Sequence, residues 1–456
     1  MSNHAAVTAD GGEVGRAQAM QALAAGVPLE RRMNPILLKP NSATGSHLVV
    51  LGDEQTTTDA HTYGDTSRHL RPVVLDALTS LRQDYDWVIA EGAGGAAEIN
   101  LLERDLVNLP LARAAGMPAI LVVDIDPGGA FASAHGTIDL LPEELRAPIV
   151  GVVFNKFRGD PSLLDSGITA LEGRTGVPVL GVLNHLTDHL ALGAEDSMDI
   201  HLGVRGSQRS SLPVRVAAVR LPHLANPSDL DPFAIEPDVE FRWVSHPGEL
   251  TDVDLIVLPG SRATVADLAW LRDRHFAEKL ASAECTIVGI CAGLQMLGQR
   301  IHDDIESGCG TVAGLGHLAI ETTFEHPKIV ARSTAMTTSS GGDNYRLDGY
   351  QIRFGRPRGT ETPWLMVDGQ PEGAVDRQQR IFGTSLHGLF DADGFRTEFL
   401  TTIAATRNRH YEPAPVGFAA ELEHYHDRLA NWIETDLDTN RVLSLASAAQ
   451  FPGPGW

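Results

Sequence analysis

The 456-residue chain is longer than one ordinary domain, and its 43% hydrophobic content is enough for two buried cores. Its formal net charge of −23 would repel nucleic-acid phosphates and anionic lipid headgroups, so we expect neither nucleic acid nor a membrane as a partner. No stretch approaches the roughly 18 uninterrupted apolar residues of a spanning helix, and the first twelve residues lack a secretory signal, which indicates a cytoplasmic protein.

Short apolar runs alternate with helical segments along the chain, a pattern that predicts α/β units around parallel sheets. In the first half these runs are WVIAEG at 87–92, AILVVDID at 119–126, PIVGVVFNKF at 148–157 and VPVLGVL at 177–183. In the second half they are VRVAAVRL at 214–221, LIVLPGS at 255–261, CTIVGICAG at 285–293 and RIFGTSLHG at 380–388.

A polar segment separates the two halves. Residues 201–213 are rich in Gly and Ser, which is typical of a linker. We therefore predict two domains, residues 1–207 and residues 208–456. A second polar stretch, residues 331–349, is predicted to be a surface loop within the later domain.

Carboxylates follow two of the apolar runs in the first half. Glu91 comes at the end of the run at 87–92, and Asp124 and Asp126 end the run at 119–126. Carboxylates at the carboxyl ends of parallel strands are suited to hold Mg²⁺ beside a phosphate. We predict Glu91 as a magnesium ligand, shared with Asp124 or Asp126, and the alternative for Glu91 is an exposed loop residue.

Cys291 is the candidate nucleophile of the second half. It lies in a Gly-x-Cys-x-Gly turn between an apolar run and a helical pattern, the context of a nucleophile elbow. A helix N-terminus also favours a thiolate. The alternative is a buried structural cysteine, an interpretation that we favour for Cys285 and Cys309.

A histidine and a glycine-containing loop complete the predicted acyl-transfer site. His387 lies near the end of the run at 380–388, just after its apolar residues and before Gly388, and is predicted to be the base for Cys291. The loop at 258–261 follows another strand, and its backbone N–H groups are suited to stabilise an oxyanion. We place Gly260, Ser261 and Ala292 in this oxyanion and glutamine pocket.

The second half resembles class I glutamine amidotransferases in the runs LPGS, GICAGLQMLG and GTSLHGLF. That resemblance implies glutamine hydrolysis through a thioester, with release of ammonia. Many members carry His-x-Glu, but Gly388 and Leu389 follow His387 here. The departure matches the cobyric and cobyrinic acid branch of the family, which uses a cysteine–histidine pair.

The first half resembles the cobyric acid branch in DGGEVGRAQAMQALAAG at 10–26, MNPILLKP at 33–40, AEGAGGAAEINLLERDLVN at 90–108, DIDPGGAFAS at 124–133 and NKFRGD at 155–160. The resemblance implies a dethiobiotin-synthetase-like P-loop domain followed by a flavodoxin-like glutaminase domain. It also implies that ATP and Mg²⁺ activate the b, d, e and g carboxylates of adenosylcobyrinic acid a,c-diamide. Asn155 and Lys156 resemble the adenine-side segment of this fold, and the alternative for both is a surface loop. Two departures from the branch are Pro127 for arginine and Arg353 for histidine.

The first domain is predicted to lack its first strand and P-loop. A P-loop needs Gly-Lys-Ser/Thr, but none of the chain's lysines, Lys39, Lys156, Lys279 and Lys328, follows a glycine. The resemblance starts at what looks like an internal methionine of the branch, so we expect an upstream segment of roughly 30–45 residues, the scale of one βα unit. The alternative functions are a cobyrinic acid a,c-diamide synthase and a non-catalytic corrinoid-binding remnant.

Overall fold

The computed structural model describes residues 3–40, 45–59, 63–186, 211–338, 344–376, 378 and 380–448. The chain divides into two compact units, each built from two chain segments. The first unit combines residues 1–57 with 189–423, and the second combines residues 58–188 with 424–456. Residue 208 lies outside the described residues, so the division into residues 1–207 and 208–456 stays a prediction.

The earlier elements, in chain order, are β1 (Ala5–Val7), β2 (Glu13–Gly15), α1 (Arg16–Ala24), β3 (Ile36–Pro40), β4 (Gly45–Val50), β5 (Asp53–Asp59), α2 (Tyr63–Asp84), α3 (Leu109–Ala115), β6 (Ala119–Asp124), α4 (Ala130–Leu140), α5 (Glu143–Arg146), β7 (Ile149–Phe157), α6 (Asp165–Thr175) and β8 (Val179–Asn184).

The later elements are β9 (Val214–Val219), β10 (Leu224–Ala225), β11 (Val239–Val244), β12 (Leu255–Leu258), β13 (Gly260–Ser261), α7 (Thr264–Asp273), α8 (Phe276–Ala281), β14 (Thr286–Ile290), α9 (Ala292–Leu297), β15 (Arg300–Asp303), β16 (Gly310–Ala313), β17 (Ile320–Thr337), β18 (Arg346–Gly359), β19 (Leu365–Val367), β20 (Gln370–Glu372), β21 (Ala374–Val375), β22 (Ile381–Thr384), α10 (Asp393–Arg407), α11 (Phe418–Asp436) and α12 (Thr439–Ala448). Among the helices of the described ranges, none combines the length and apolar character that a membrane crossing needs.

The second unit is built on a parallel sheet of strand order β6–β7–β8. Its core surrounds Phe154 of β7, whose ring contacts Phe131 of α4 edge to face at 5.0 Å. The C-terminal helices hold β8 through Trp432, whose Nε1 donates to the Asn184 carbonyl at 3.0 Å. Parallel strands with helical crossovers agree with the predicted fold class.

The predicted strand at 87–92 is wrong. The structure assigns no strand to these residues, and Ile89 is 95% exposed. Apolar residues form a strand only where a neighbouring strand satisfies their backbone groups. The described residues around 87–92 form no backbone ladder with a neighbouring strand. Val122 of β6, the next strand along the chain, is also 59% exposed.

The first unit contains a six-stranded sheet of order β11–β9–β12–β14–β22–β21. Its first five strands are parallel, and β21 runs antiparallel to β22. A second sheet places the long strand β17 beside β15, β18 and β19. The predicted surface loop at 331–349 is therefore wrong, because residues 331–337 and 346–349 are paired strands in β17 and β18.

The N-terminal segment belongs to this first unit. The β1–β2 hairpin places Glu13 in the interior, where its carboxylate forms ion pairs with Lys39 and, at 2.8 Å, with Lys328 of β17. Burial lowers the pKa of Lys39 to about 8 although Glu13 lies beside it. The pair with Lys328 fixes the hairpin to the later part of the chain, because either partner alone would be an uncompensated buried charge.

The turn around Cys291 needs small residues. A Cβ on Gly293 would lie 1.9 Å from the Leu258 carbonyl oxygen, so α9 packs directly on the backbone of β12. A Cβ on Gly289 would lie 2.6 Å from the Gly293 carbonyl carbon. The glycines of the Gly-x-Cys-x-Gly pattern therefore permit a close approach of strand and helix.

We expect Gly293→Ala to lower the free energy of unfolding by about 3 kcal/mol, because backbone atoms must move to admit the methyl group. Gly136→Ala is the matched control in helix α4, where nothing lies within 4 Å of the added Cβ. That change should raise stability by about 0.5–1 kcal/mol. Urea unfolding followed by tryptophan fluorescence checks both, and equal stability of the two variants would contradict the packing account.

Candidate active site

Cys291 lies between the end of β14 and the start of α9. Its backbone has φ 53° and ψ −107°, a conformation that non-glycine residues rarely adopt. The backbone N–H donates to the Thr384 carbonyl at 2.7 Å, which fixes this strained turn against β22. The sulfur lies 3.8 Å from the Ile352 carbonyl oxygen, so it points toward β18.

His387 lies just after β22; its ring is buried and forms a hydrogen bond with Cys291. Its Nδ1 lies 2.7 Å from Asp229 Oδ2, and the side chains of both residues are 2% exposed. An ionised carboxylate only accepts hydrogen bonds, so Asp229 keeps a proton on Nδ1 and leaves Nε2 for proton exchange with Cys291.

The charge state of His387 is set by opposing effects. Burial lowers the pKa of the ring, but the charge and hydrogen bond of Asp229 outweigh it. A hydrogen bond with Cys291 adds to the increase, and the pKa of His387 rises to about 10. The pair is therefore arranged to hold an imidazolium beside the sulfur, which favours a nucleophilic thiolate.

Sequence reasoning missed Asp229. The sequence predicted a cysteine–histidine pair, because no acid follows His387 at the His-x-Glu position. In the structure the acid comes from the segment after β10, where Asp229 lies in a 3₁₀ helix that spans Pro227–Ile235. Its Oδ1 also accepts from the Gly388 N–H at 2.9 Å, so one carboxylate orients both the ring and the following backbone.

The predicted pocket residues play different parts. A Cβ on Gly260 would lie 3.3 Å from His387 Cε1, so the loop after β12 lies against the ring. Ala292 begins α9, where backbone N–H groups have no partner within the helix. The Ser261 hydroxyl instead donates to Asp267 Oδ2 at 2.5 Å, which makes it a support of the loop.

Two departures from the sequence interpretation involve Cys309 and Arg353. Cys285 is buried as predicted, but Cys309 is exposed rather than a core residue. Arg353 donates through Nε to Gln351 Oε1 at 3.0 Å and through Nη1 to the Gly355 carbonyl. Burial lowers the pKa of the guanidinium, and the side chain is held beside its own strand.

The residues predicted around Mg-ATP form contacts with one another in the second unit. Lys156 Nζ forms an ion pair with Asp124 Oδ2 at 2.7 Å, and the hydrogen bond from Lys156 lowers the pKa of Asp124. Asn155 Oδ1 accepts from the Lys156 N–H at 2.8 Å, while Asp126 pairs with Arg158. The charge of Asp124, at the carboxyl end of β6, is thus balanced by Lys156 of β7.

Glu91 does not occupy the expected strand end. It is exposed and lies outside any strand. Within the described ranges, no group of three or more His, Cys, Asp or Glu side chains is arranged to hold a metal ion. The magnesium roles of Glu91 and Asp124 therefore stay predictions.

Comparisons with known proteins match two families along the chain. Residues 215–395 match a CobB/CobQ-like glutamine amidotransferase domain, and residues 43–190 match an AAA domain. The cobyric acid synthase of Mycolicibacterium paratuberculosis is 44% identical over 98% of this chain and 88% of its own length. That of Nocardia farcinica is 44% identical over 99% of this chain and 91% of its own length.

These matches confirm the predicted fold class, a P-loop-like domain followed by a glutamine amidotransferase domain.

We expect Asp229→Asn to change how stability depends on pH. The folded-state pKa of His387, about 10, lies above its ordinary value of 6.5, so the folded protein binds this proton more tightly. The resulting stabilisation is complete below pH 6.5 and is lost as the pH rises toward 10.

The wild type should therefore lose stability across that window, and Asp229→Asn should lose much less. Urea unfolding at several pH values measures this slope. His275→Asn, at a 79% exposed side chain, is the control and should keep the wild-type slope. An unchanged slope in Asp229→Asn would refute the assigned coupling.

Proposed function

This chain belongs to the cobyric acid synthase family, and on that premise we propose that it amidates corrinoid carboxylates with ammonia taken from L-glutamine. Membership makes the chain a glutamine-dependent amidotransferase of the ligase type. The finer assignment is conversion of adenosylcobyrinic acid a,c-diamide to adenosylcobyric acid, with amide formation at the b, d, e and g carboxylates.

The observation that carries the glutaminase assignment is the strained turn that presents Cys291 to a buried base. The backbone geometry costs on the order of 1–3 kcal/mol, which other contacts must offset. A structural cysteine has no need of such a turn, nor of a histidine whose second nitrogen is held by a carboxylate. Both features are what nucleophilic acyl transfer through sulfur requires.

The chemistry follows from these positions. Cys291 sulfur, as a thiolate, attacks the side-chain carbonyl carbon of glutamine, and the electron pair of that carbonyl moves to its oxygen. Backbone N–H groups at Ala292 and the Gly260 loop are placed to stabilise the oxyanion. His387 then gives the Nε2 proton to the departing nitrogen, so ammonia leaves and a thioester remains. Water, deprotonated by His387, hydrolyses the thioester to glutamate.

The synthase half is assigned ATP and Mg²⁺ on the AAA-domain match and the family. The residues of this chain do not supply the usual phosphate cradle, because no lysine in the sequence follows a glycine. Asp124 is already paired with Lys156, and Glu91 lies in an exposed segment.

Cobyrinic acid a,c-diamide synthase is the nearest alternative. The similarity to cobyric acid synthases extends over 98% and 99% of the chain, which favours the a,c-diamide over cobyrinic acid as the substrate. The choice is tested by supplying the protein with cobyrinic acid or its a,c-diamide, together with ammonia and ATP. Mass spectrometry should show four amidations of the a,c-diamide, whereas conversion of cobyrinic acid alone to its diamide would support the alternative.

Cys291→Ser should abolish glutaminase activity, because a neutral serine hydroxyl is a far weaker nucleophile than a cysteine thiolate. His387→Ala should lower the rate by about 10²–10⁴-fold, the usual contribution of a general base. Glutamate release from glutamine measures both. Cys309→Ser, at the exposed cysteine, is the control and should retain the wild-type rate; undiminished turnover in Cys291→Ser would refute the assignment.

We expect the 456-residue chain to show no saturable binding of Mg-ATP at micromolar concentrations, because it has no Gly-Lys-Ser/Thr cradle for the phosphates. Isothermal titration calorimetry measures this directly, and glutaminase turnover in the same sample serves as the control for folded protein. Tight Mg-ATP binding by this chain would contradict the prediction and would support a phosphate site of another kind.

A further inference from the structure

Asn226 and Asp229 lie on the two nitrogens of His387. Asp229 contacts Nδ1 at 2.7 Å, and Asn226 Nδ2 lies 3.5 Å from Nε2. Both residues come from the short segment that follows β10, and Tyr350 stacks on the ring face at 5.0 Å between centroids. The ring is thus bounded on both edges and on one face, but Asn226 contacts the nitrogen that exchanges protons with the thiol.

The orientation of the Asn226 amide is fixed by the N-terminal hairpin. The Ala5 N–H of β1 donates to Asn226 Oδ1 at 3.0 Å in a buried hydrogen bond. Because the oxygen is occupied by Ala5, the amino group faces His387. An amino group only donates, so a proton on Nε2 finds no acceptor on Asn226 and stays directed at Cys291.

Strand β1 is itself held firmly. Ala5 and Val7 pack in a small core with Ile352 and Tyr350, the residues that contact the thiol and the imidazole. Arg332 of β17 donates to the Val7 carbonyl at 3.2 Å. Residues 5–7 lie outside the range 215–395 that matches the glutamine amidotransferase domain.

We propose that Asn226 is a positioning residue of the glutaminase, and that strand β1 completes this site by fixing the Asn226 amide. The opposite amide orientation would place an oxygen beside Nε2, where it would accept the proton and compete with the sulfur. The hairpin therefore keeps the Nε2 proton of His387 directed at Cys291. The hairpin itself lies in the part of the chain that precedes the AAA-domain match.

A purely structural role for Asn226 makes a different prediction. Its backbone has φ 51°, a left-handed conformation that Asn, Asp and Gly tolerate better than other residues. If only the backbone and the acceptor for Ala5 mattered, Asn226→Asp would behave as wild type and Asn226→Gly would be the worse variant. The proposal predicts the reverse order.

The test measures kcat and KM for glutamine in the full chain. Asn226→Asp keeps the left-handed backbone and the acceptor for Ala5 but presents an oxygen to Nε2. We expect its kcat to fall by about tenfold to 100-fold, the scale of a misplaced catalytic group, with KM changed less than about twofold. Asn226→Gly, which offers no competing oxygen, should lose less activity than Asn226→Asp.

Asn408→Asp and Asn408→Gly are matched controls, because Asn408 also has a left-handed backbone, φ 53°, at the end of α10. Both should retain wild-type kcat. Ala5→Pro removes the N–H that holds the amide and should lower kcat in the wild-type background. It should have no further effect with Asn226→Gly, because the two changes break the same interaction.

The inference would be overturned if the kcat of Asn226→Asp were close to that of the wild type. It would also be overturned if the kcat of Asn226→Gly were lower than that of Asn226→Asp. Additive losses from Ala5→Pro and Asn226→Gly would overturn the part played by β1, and this pair decides the matter if Asn226→Asp fails to fold. The inference rests on the proposed glutaminase. Absence of turnover in the wild type would refute that function, whereas normal turnover with unaffected variants refutes only this inference.

Discussion

One buried carboxylate, Asp229, fixes the geometry on which the rest of the site depends. Its two oxygens accept from the His387 ring and from the Gly388 N–H, so His387 is held both through its side chain and through the adjacent backbone. Without Asp229 a buried ring would favour the neutral form and either tautomer. With Asp229 present, Nδ1 of His387 is held in a hydrogen bond and Nε2 is left free of the carboxylate.

The parallel sheet explains why distant residues meet at this point. Strands β12, β14 and β22 end at the same edge, and each is followed by a residue of the site: Gly260, Cys291 and His387. Carboxyl ends of parallel strands are where α/β folds build their sites. The backbone hydrogen bond from Cys291 to Thr384 joins the turn at Cys291 to the strand that precedes His387.

The sequence predicted the parts of the site that are locally encoded. Cys291 is recognisable because a strand, two glycines and a helix surround it, and those glycines do prove to be points of close contact. Asp229 was not recognisable, since an acid near a helix start usually only caps the helix. Its partner is 158 residues away, and no local pattern marks that contact.

The fold errors have the same origin. Residues 87–92 are apolar enough for a strand, but a strand depends on partners that its own sequence does not specify. Residues 331–349 were judged a loop because they are polar, yet β17 and β18 pair along much of their length. An antiparallel ribbon with one exposed face tolerates polar residues. Hydrophobicity alone therefore predicted a strand where there is none and a loop where two strands pair.

The central claim is that Cys291 is the nucleophile for the glutamine side chain. A glutamine analogue that carries a diazoketone in place of the amide would alkylate such a thiolate, and peptide mass spectrometry would locate the adduct. The account predicts one adduct, on Cys291, that excess glutamine prevents and that Asp229→Asn slows. Labelling of Cys285 or Cys309 instead, or labelling of Cys291 that glutamine does not reduce, would contradict it.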